Sequence, residues 1–115
     1  MSVLLSPTDA RALIWNALIG SGTSHKNAKY FTEAILDTEL SGLEGHGFYW
    51  LQFYCAHLHS GKVDGKAVPQ VEPLSDTSFR VDARRGFAHP AIEAGFKYMI
   101  PAAKTYGIAA MGIYN

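Results

Sequence analysis

Several things are scarce in this chain, and each shortage removes a class of protein. Cys55 is the only cysteine among 115 residues. No internal disulfide can form, which fits a reducing, cytoplasmic setting. No apolar run approaches the ~20 residues that span a bilayer. The opening MSVLLSPTDAR lacks the basic start and long apolar stretch of a secretion signal, so no membrane role is expected. Ten Lys and Arg balance ten Asp and Glu without a basic run, leaving no electrostatic footprint for nucleic acid. There is no G-x-G-x-x-G fingerprint, P-loop, repeat or low-complexity tract. What remains is 48% hydrophobic and 17% charged, a composition suited to one small packed domain.

Helical signals dominate the first half. In SPTDARALIWNALIG, Ser6 is an N-cap, Pro7 suits the first helical position and Asp9 the positive end. Leu13, Ile14, Ala17 and Leu18 form an apolar stripe, with Gly20 as the stop. A second helix follows Ser24, with Ala28, Phe31 and Ile35 on one face and Gly42 at its end. A third begins near Gly47, where Phe48, Leu51, Cys55 and Leu58 recur at helical spacing up to Gly61. Residues 1–62 therefore read as a helical part. Residues 63–75, rich in Gly, Pro and polar side chains, read as an extended connector.

The remainder, 76–115, reads as the start of a sheet. SFRVDARRG is a short strand and turn. A fourth helix starts at Pro90, with Ile92, Phe96, Met99 and Ala103 inward and a kink or split at Pro101. GIAAMGIYN is a second strand, apolar enough for burial on both sides. Two strands alone are marginal, so the remaining strands are expected elsewhere.

The stretch SGLEGHGFYW raises a chemical question. Glycines flanking a polar residue often mark only a helix-to-helix turn. In the functional reading, His46 stands before a helix N-terminus, where Gly45 and Gly47 let a ligand approach the backbone. A substrate carboxylate is favoured there, beside an imidazole that can give or take a proton. His57, His59 and Cys55 diverge on a helix, so no metal site is expected. His25 reads as a first-turn surface residue and His89 as a loop residue. Trp15 and Trp50 read first as packing residues, and Arg84 and Arg85 as a solvated turn.

With the segments in place, TELSGLEGHGFYWLQFYCAHLHSGKV and FRVDARRGFAHPAIEAGFKYMIPAAKTYGIAAMGIYN resemble the malate/L-lactate dehydrogenase family of the non-Rossmann type. Ureidoglycolate and sulfolactate dehydrogenases and the piperideine/pyrroline-2-carboxylate reductases belong to that family. Gly45-His46-Gly47 is similar to its Ser-His-Gly element, with Gly for Ser. Gly86-Phe87-Ala88-His89 is similar to its Gly-(Leu or Phe)-Gly-(Gln or His) turn. Asn115 is similar to the start of its Asn-Ser-x-His strand end. The resemblance covers residues 5–115.

The resemblance implies an α+β fold: a helical N-terminal part, then the first strands and helix of a mainly antiparallel cofactor-binding sheet completed by another chain or a missing segment. It implies reduction of a 2-oxo or cyclic imino acid, or oxidation of a 2-hydroxy acid, with NADPH or NADH. His46 takes the place of the proton donor; Gly45, Gly47 and Trp50 take substrate-side places. The family's assisting serine is Gly45 here, and its carboxylate-binding arginine is Trp50. The cofactor is bound mostly by residues beyond Asn115, leaving its contacts within this chain unknown. A helix N-terminus disfavours imidazolium, which Glu44 or Glu39 would oppose. The expected partners are a second polypeptide carrying the rest of the fold, a homodimer mate of the complete unit and a small-molecule substrate. The rival expectation is a truncated, non-catalytic interaction or structural module.

Overall fold

The computed structural model describes residues 2–43 and 45–115. The chain divides at Gly65 into two compact units, a boundary that falls within residues 63–75.

The first unit holds three helices, α1 (Pro7–Gly20), α2 (His25–Leu40) and α3 (Phe48–His59). Ser6 caps α1, accepting from the Asp9 N–H at 3.1 Å. Ser24 caps α2, accepting from the Asn27 N–H at 3.3 Å. The core joins Ile14 and Leu18 of α1 to Phe31, Ile35 and Leu36 of α2 and Leu51 of α3. Full burial of each large apolar side chain contributes roughly 1.5–3 kcal/mol.

The buried face of α1 runs Ala10, Ile14, Leu18. Leu13, expected in the stripe, is 50% exposed, because a four-residue step sets that face and Leu13 lies about 100° away from Ile14. α1 ends at Gly20, as expected, with Ser21 as the C-cap; Gly22 is the residue with positive φ. In α3 the expected stripe holds: Leu51 is buried, and Phe48, Cys55 and Leu58 are half-buried. The Gly65 carbonyl accepts from the Ser24 N–H and from Asn27 Nδ2, both at 3.0 Å. These bonds tie down the end of the unit and satisfy a buried asparagine.

The second unit is a three-stranded sheet with one helix: β1 (Gln70–Pro73), β2 (Ser78–Asp82), α4 (Ala88–Tyr106) and β3 (Ala110–Tyr114). The strand order is β1-β2-β3. β1 and β2 form an antiparallel hairpin that pairs Val71 with Val81; β2 and β3 are parallel, pairing Val81 with Ile113. Strand β1 lies inside the stretch that reads as a connector. Its Gly- and Pro-rich flanks hide it, and it tolerates Pro73 because it is an edge strand. Ser75 shapes the intervening loop, its Oγ accepting from the Thr77 and Ser78 N–H groups.

Helix α4 covers one face of this sheet through Ala91 and Gly95, packed on Val81, Ala83 and Met111. A methyl at Gly95 would run into Met111 Sδ and Val81, so the glycine sets how closely helix and sheet approach. Ile92, Phe96, Met99 and Ala103 are only half-buried; the inner face is turned by about one residue from the expected stripe. The helix starts at Ala88 rather than Pro90 and continues through Pro101 to Tyr106. Pro101 is exposed, so the carbonyl that loses its intrahelical donor can turn to water. Thr105 Oγ1 donates to the Pro101 carbonyl at 3.1 Å.

Strand β3 is not buried on both sides. All its residues but Met111, which packs against Gly95 of α4, are exposed; among the described residues β2 is the only strand paired with it. The face opposite α4 is polar: Arg80 donates to Glu72 at 2.6 Å and lies 5.2 Å from the Tyr114 ring centroid. Among the described residues, no helix is long and apolar enough to cross a membrane.

Candidate functional site

The α2–α3 loop holds the residues singled out for chemistry. Glu44 lies outside the described residues. His46 is exposed in a bend two residues before α3, and its N–H donates to the Leu43 carbonyl at 3.1 Å. Gly45 has φ +81°. Gly47 is the N-cap of α3, with φ 63° and ψ −122°, a backbone region open essentially to glycine alone. A glycine cap has no side chain to accept the free N–H groups of the helix start. Glu39, in the last turn of α2, does so instead: its Oε2 accepts from the Phe48 N–H at 3.0 Å. That first donor of α3 is therefore already taken, and a substrate carboxylate at the helix start would have to use other groups.

Trp50 lies on the outer face of α3 and is 40% exposed. Its ring centroid is 5.1 Å from that of Phe53 and 6.0 Å from that of Tyr49, the latter pair edge-on. Tyr49 and Phe53 are exposed as well. The three form an aromatic surface, while the adjacent Leu51 points inward. Trp50 is thus not an interior packing residue.

The other candidates scatter. Cys55 is half-buried, its Sγ 3.7 Å from the Ala17 carbonyl. His25 is exposed, 5.6 Å from Trp15 between ring centroids. His89 stands in the first turn of α4, and burial holds its pKa below the ordinary value, against an opposing pull from Glu93. Among the described residues no group of three or more His, Cys, Asp or Glu could hold a metal ion.

Arg84 and Arg85 form the centre of the turn between β2 and α4, both exposed and both with positive φ (56° and 61°). Such a turn after a parallel strand is a common place for phosphate groups. Here, however, its amides are spent. Arg84 N–H donates to Asp82 Oδ1 at 2.8 Å, Arg85 N–H to the Asn115 carbonyl at 2.8 Å and Gly86 N–H to the Ala83 carbonyl at 2.9 Å. The turn closes on itself and does not fit a cradle for the phosphates of a dinucleotide.

Glu39 is the residue that motif reading undervalues. Its signal in the sequence is indirect: a carboxylate in the last turn of a helix, where the dipole disfavours it, ahead of a helix whose cap is glycine.

Known proteins place this geometry. The chain superposes on the crystal structure of Δ1-piperideine-2-carboxylate reductase from Pseudomonas syringae pvar. tomato with a TM-score of 0.92 at 34% identity, over 97% of this chain and 34% of that one. It is 39% identical to a (2R)-3-sulfolactate dehydrogenase (NADP(+)) of Chromohalobacter salexigens, over 98% of this chain and 34% of the relative. A Δ1-pyrroline-2-carboxylate reductase of Ancylobacter novellus is 34% identical over 98% of this chain and 33% of its own length. The α+β arrangement described above matches the N-terminal part of the fold of the Pseudomonas syringae reductase. The family profile for malate/L-lactate dehydrogenase matches residues 5–115, and the chain belongs to that family. It spans about a third of the length of these relatives.

Proposed function

We propose that this chain forms the substrate-side helices and the first part of the sheet of an NAD(P)H-dependent oxidoreductase. The substrate class is a 2-oxo acid or cyclic imino acid, or the corresponding 2-hydroxy acid in the oxidative direction. The relatives' names support this class. The observation that carries the reading is the position of His46, exposed in the loop that opens α3 and anchored on both sides.

The nicotinamide cofactor would supply a hydride; no residue of this chain is assigned to hold it. His46 supplies the proton. Reduction of C=O or C=N places negative charge on oxygen or nitrogen, and a nearby acid that protonates it lowers the barrier. Gly45, exposed and with open space at its α-carbon, leaves the backbone on that side of His46 open to the substrate, whereas Gly47 is buried against Glu39. Gly45 carries no hydroxyl, so His46 acts without the serine partner that the family resemblance implies. Trp50, one turn further on, offers the substrate an apolar wall in place of the arginine of that resemblance. A substrate with a bulky or apolar side chain is preferred over a small dicarboxylate.

The remaining two thirds of the family's length complete the sheet and the cofactor site, in the same protein or in a second polypeptide, and the complete unit works as a homodimer. The exposed apolar edge strand β3 supports continuation of the sheet.

The test is turnover of the complete assembly with 2-oxo acids and NADPH or NADH. His46→Ala is expected to lower turnover by about tenfold or more, as loss of a general acid does. Near-normal turnover would remove His46 from the mechanism. A clear preference for oxaloacetate over a bulky 2-oxo acid would remove the role given to Trp50. Absence of turnover on every such acid, in a native mass that includes the remaining fold, would favour the interaction module.

A further inference from the structure

The carboxylate of Glu39 stands in an uncomfortable place for the helix that carries it. It lies in the last turn of α2 (His25–Leu40), where the negative end of the helix dipole repels it. Among the described residues, no cation forms an ion pair with it. Among the described residues its hydrogen-bond partner is the Phe48 N–H at the start of α3, where the positive dipole end and an otherwise free donor both favour an anion. The charge therefore serves α3 rather than α2.

The contact with Gly47 is as close as the hydrogen bond is direct. An added Cβ on Gly47 would lie 2.5 Å from Glu39 Oε2 and 3.2 Å from the Glu39 backbone nitrogen. The bare α-carbon of Gly47 leaves the Glu39 carboxylate room to reach the Phe48 N–H, and glycine takes up the positive φ that this turn needs. His46 lies directly between this lock and the bond from its own N–H to the Leu43 carbonyl. Its backbone is fixed on both sides, although its side chain is exposed.

We infer that Glu39 is a positioning residue for His46: by capping α3 through the Phe48 N–H, it aims the imidazole of the His46 loop at the substrate. The inference rests on the proposed role of His46 as proton donor. Glu39 does not touch the substrate in this scheme. Its effect appears in the proton-transfer step, and thus in kcat more than in KM.

Three variants of the complete assembly test it: Glu39→Ala, Glu39→Gln and His46→Ala. Glu39→Ala is expected to lower kcat about tenfold with KM changed less than about threefold, as misplacement of a catalytic group does. Glu39→Gln keeps an acceptor oxygen and is expected to restore most of the loss. By NMR, Glu39→Ala should speed exchange of the Phe48 amide and shift the imidazole signals of His46, and Glu39→Gln should do neither. Should Glu39→Ala fail to fold, Glu39→Asp, one methylene too short to reach Phe48, takes its place with the same expectations. A folded Glu39→Ala or Glu39→Asp with wild-type kcat and unmoved His46 signals overturns the inference, provided His46→Ala is impaired. If His46→Ala itself turns over normally, the functional reading fails, and the purpose assigned to Glu39 fails with it.

Discussion

Asn115 reaches across the parallel pair β2–β3 to Asp82: its Nδ2 donates to Asp82 Oδ1 at 3.3 Å. The same oxygen accepts from the Arg84 N–H at 2.8 Å. One carboxylate thus ties the end of β3 to the turn that leads into α4. Asp82→Ala is expected to cost about 1–2 kcal/mol, the scale of losing hydrogen bonds to a charged acceptor in a partly exposed site. Asp82→Asn keeps the acceptor and should cost less. Urea denaturation of the two variants checks this. Equal stabilities of Asp82→Ala and the wild type would show that the turn holds without the carboxylate.

The turn at Arg84 and Arg85 carries strain of its own. Both residues have positive φ, and the Gly86 N–H closes the turn onto the Ala83 carbonyl. Asn-Gly is the preferred pair for two successive left-handed positions. The double change Arg84→Asn and Arg85→Gly is expected to raise stability by roughly 1 kcal/mol. The thermal midpoint measures it. A fall would mean that contacts of the guanidinium groups outweigh the backbone strain.

Two leucines of α1 should respond differently to truncation. Leu18 is fully buried and Leu13 half-exposed. Leu18→Ala is expected to cost about 3–5 kcal/mol, removing packing and leaving a cavity. Leu13→Ala should cost under about 1 kcal/mol, the usual scale for surface positions. Comparable losses at the two positions would contradict the burial pattern of the first unit.

His89 makes the fold sensitive to mild acid. Burial holds its pKa below the ordinary value near 6.5. Between those two values the unfolded chain binds the proton more readily than the folded one, so stability rises with pH there and falls as the solution is acidified through that interval. Glu93 moderates the effect by favouring the charged ring. His89→Gln is expected to flatten the dependence of stability on pH just below neutrality. An unchanged slope would place the sensitivity on other groups.

Local rules acting along the chain were enough to read the helices. Ser6 and Ser24 cap them because their hydroxyls accept backbone donors three residues ahead. Leu51, Cys55 and Leu58 recur at the helical period, and that period determines which face of α3 turns inward. The glycines around His46 announced a loop. Motif order along the chain was sufficient to bring the family into view.

Other features depend on residues far apart in sequence. Strand β1 is invisible by itself, since its four residues become a strand only when β2 supplies the hydrogen-bond ladder. Leu13 and Trp50 look apolar enough for a core, and only the rotation of each helix against its neighbours leaves them outside. The continuity of α4 through Pro101 depended on that turn facing solvent. Glu39 gives the clearest case. Its sequence position marks it as a helix-end carboxylate, and only the return of the chain nine residues later puts the Phe48 N–H within its reach. Periodicity and capping are short-range and therefore legible in the sequence; partners brought together by chain reversal belong to the tertiary fold.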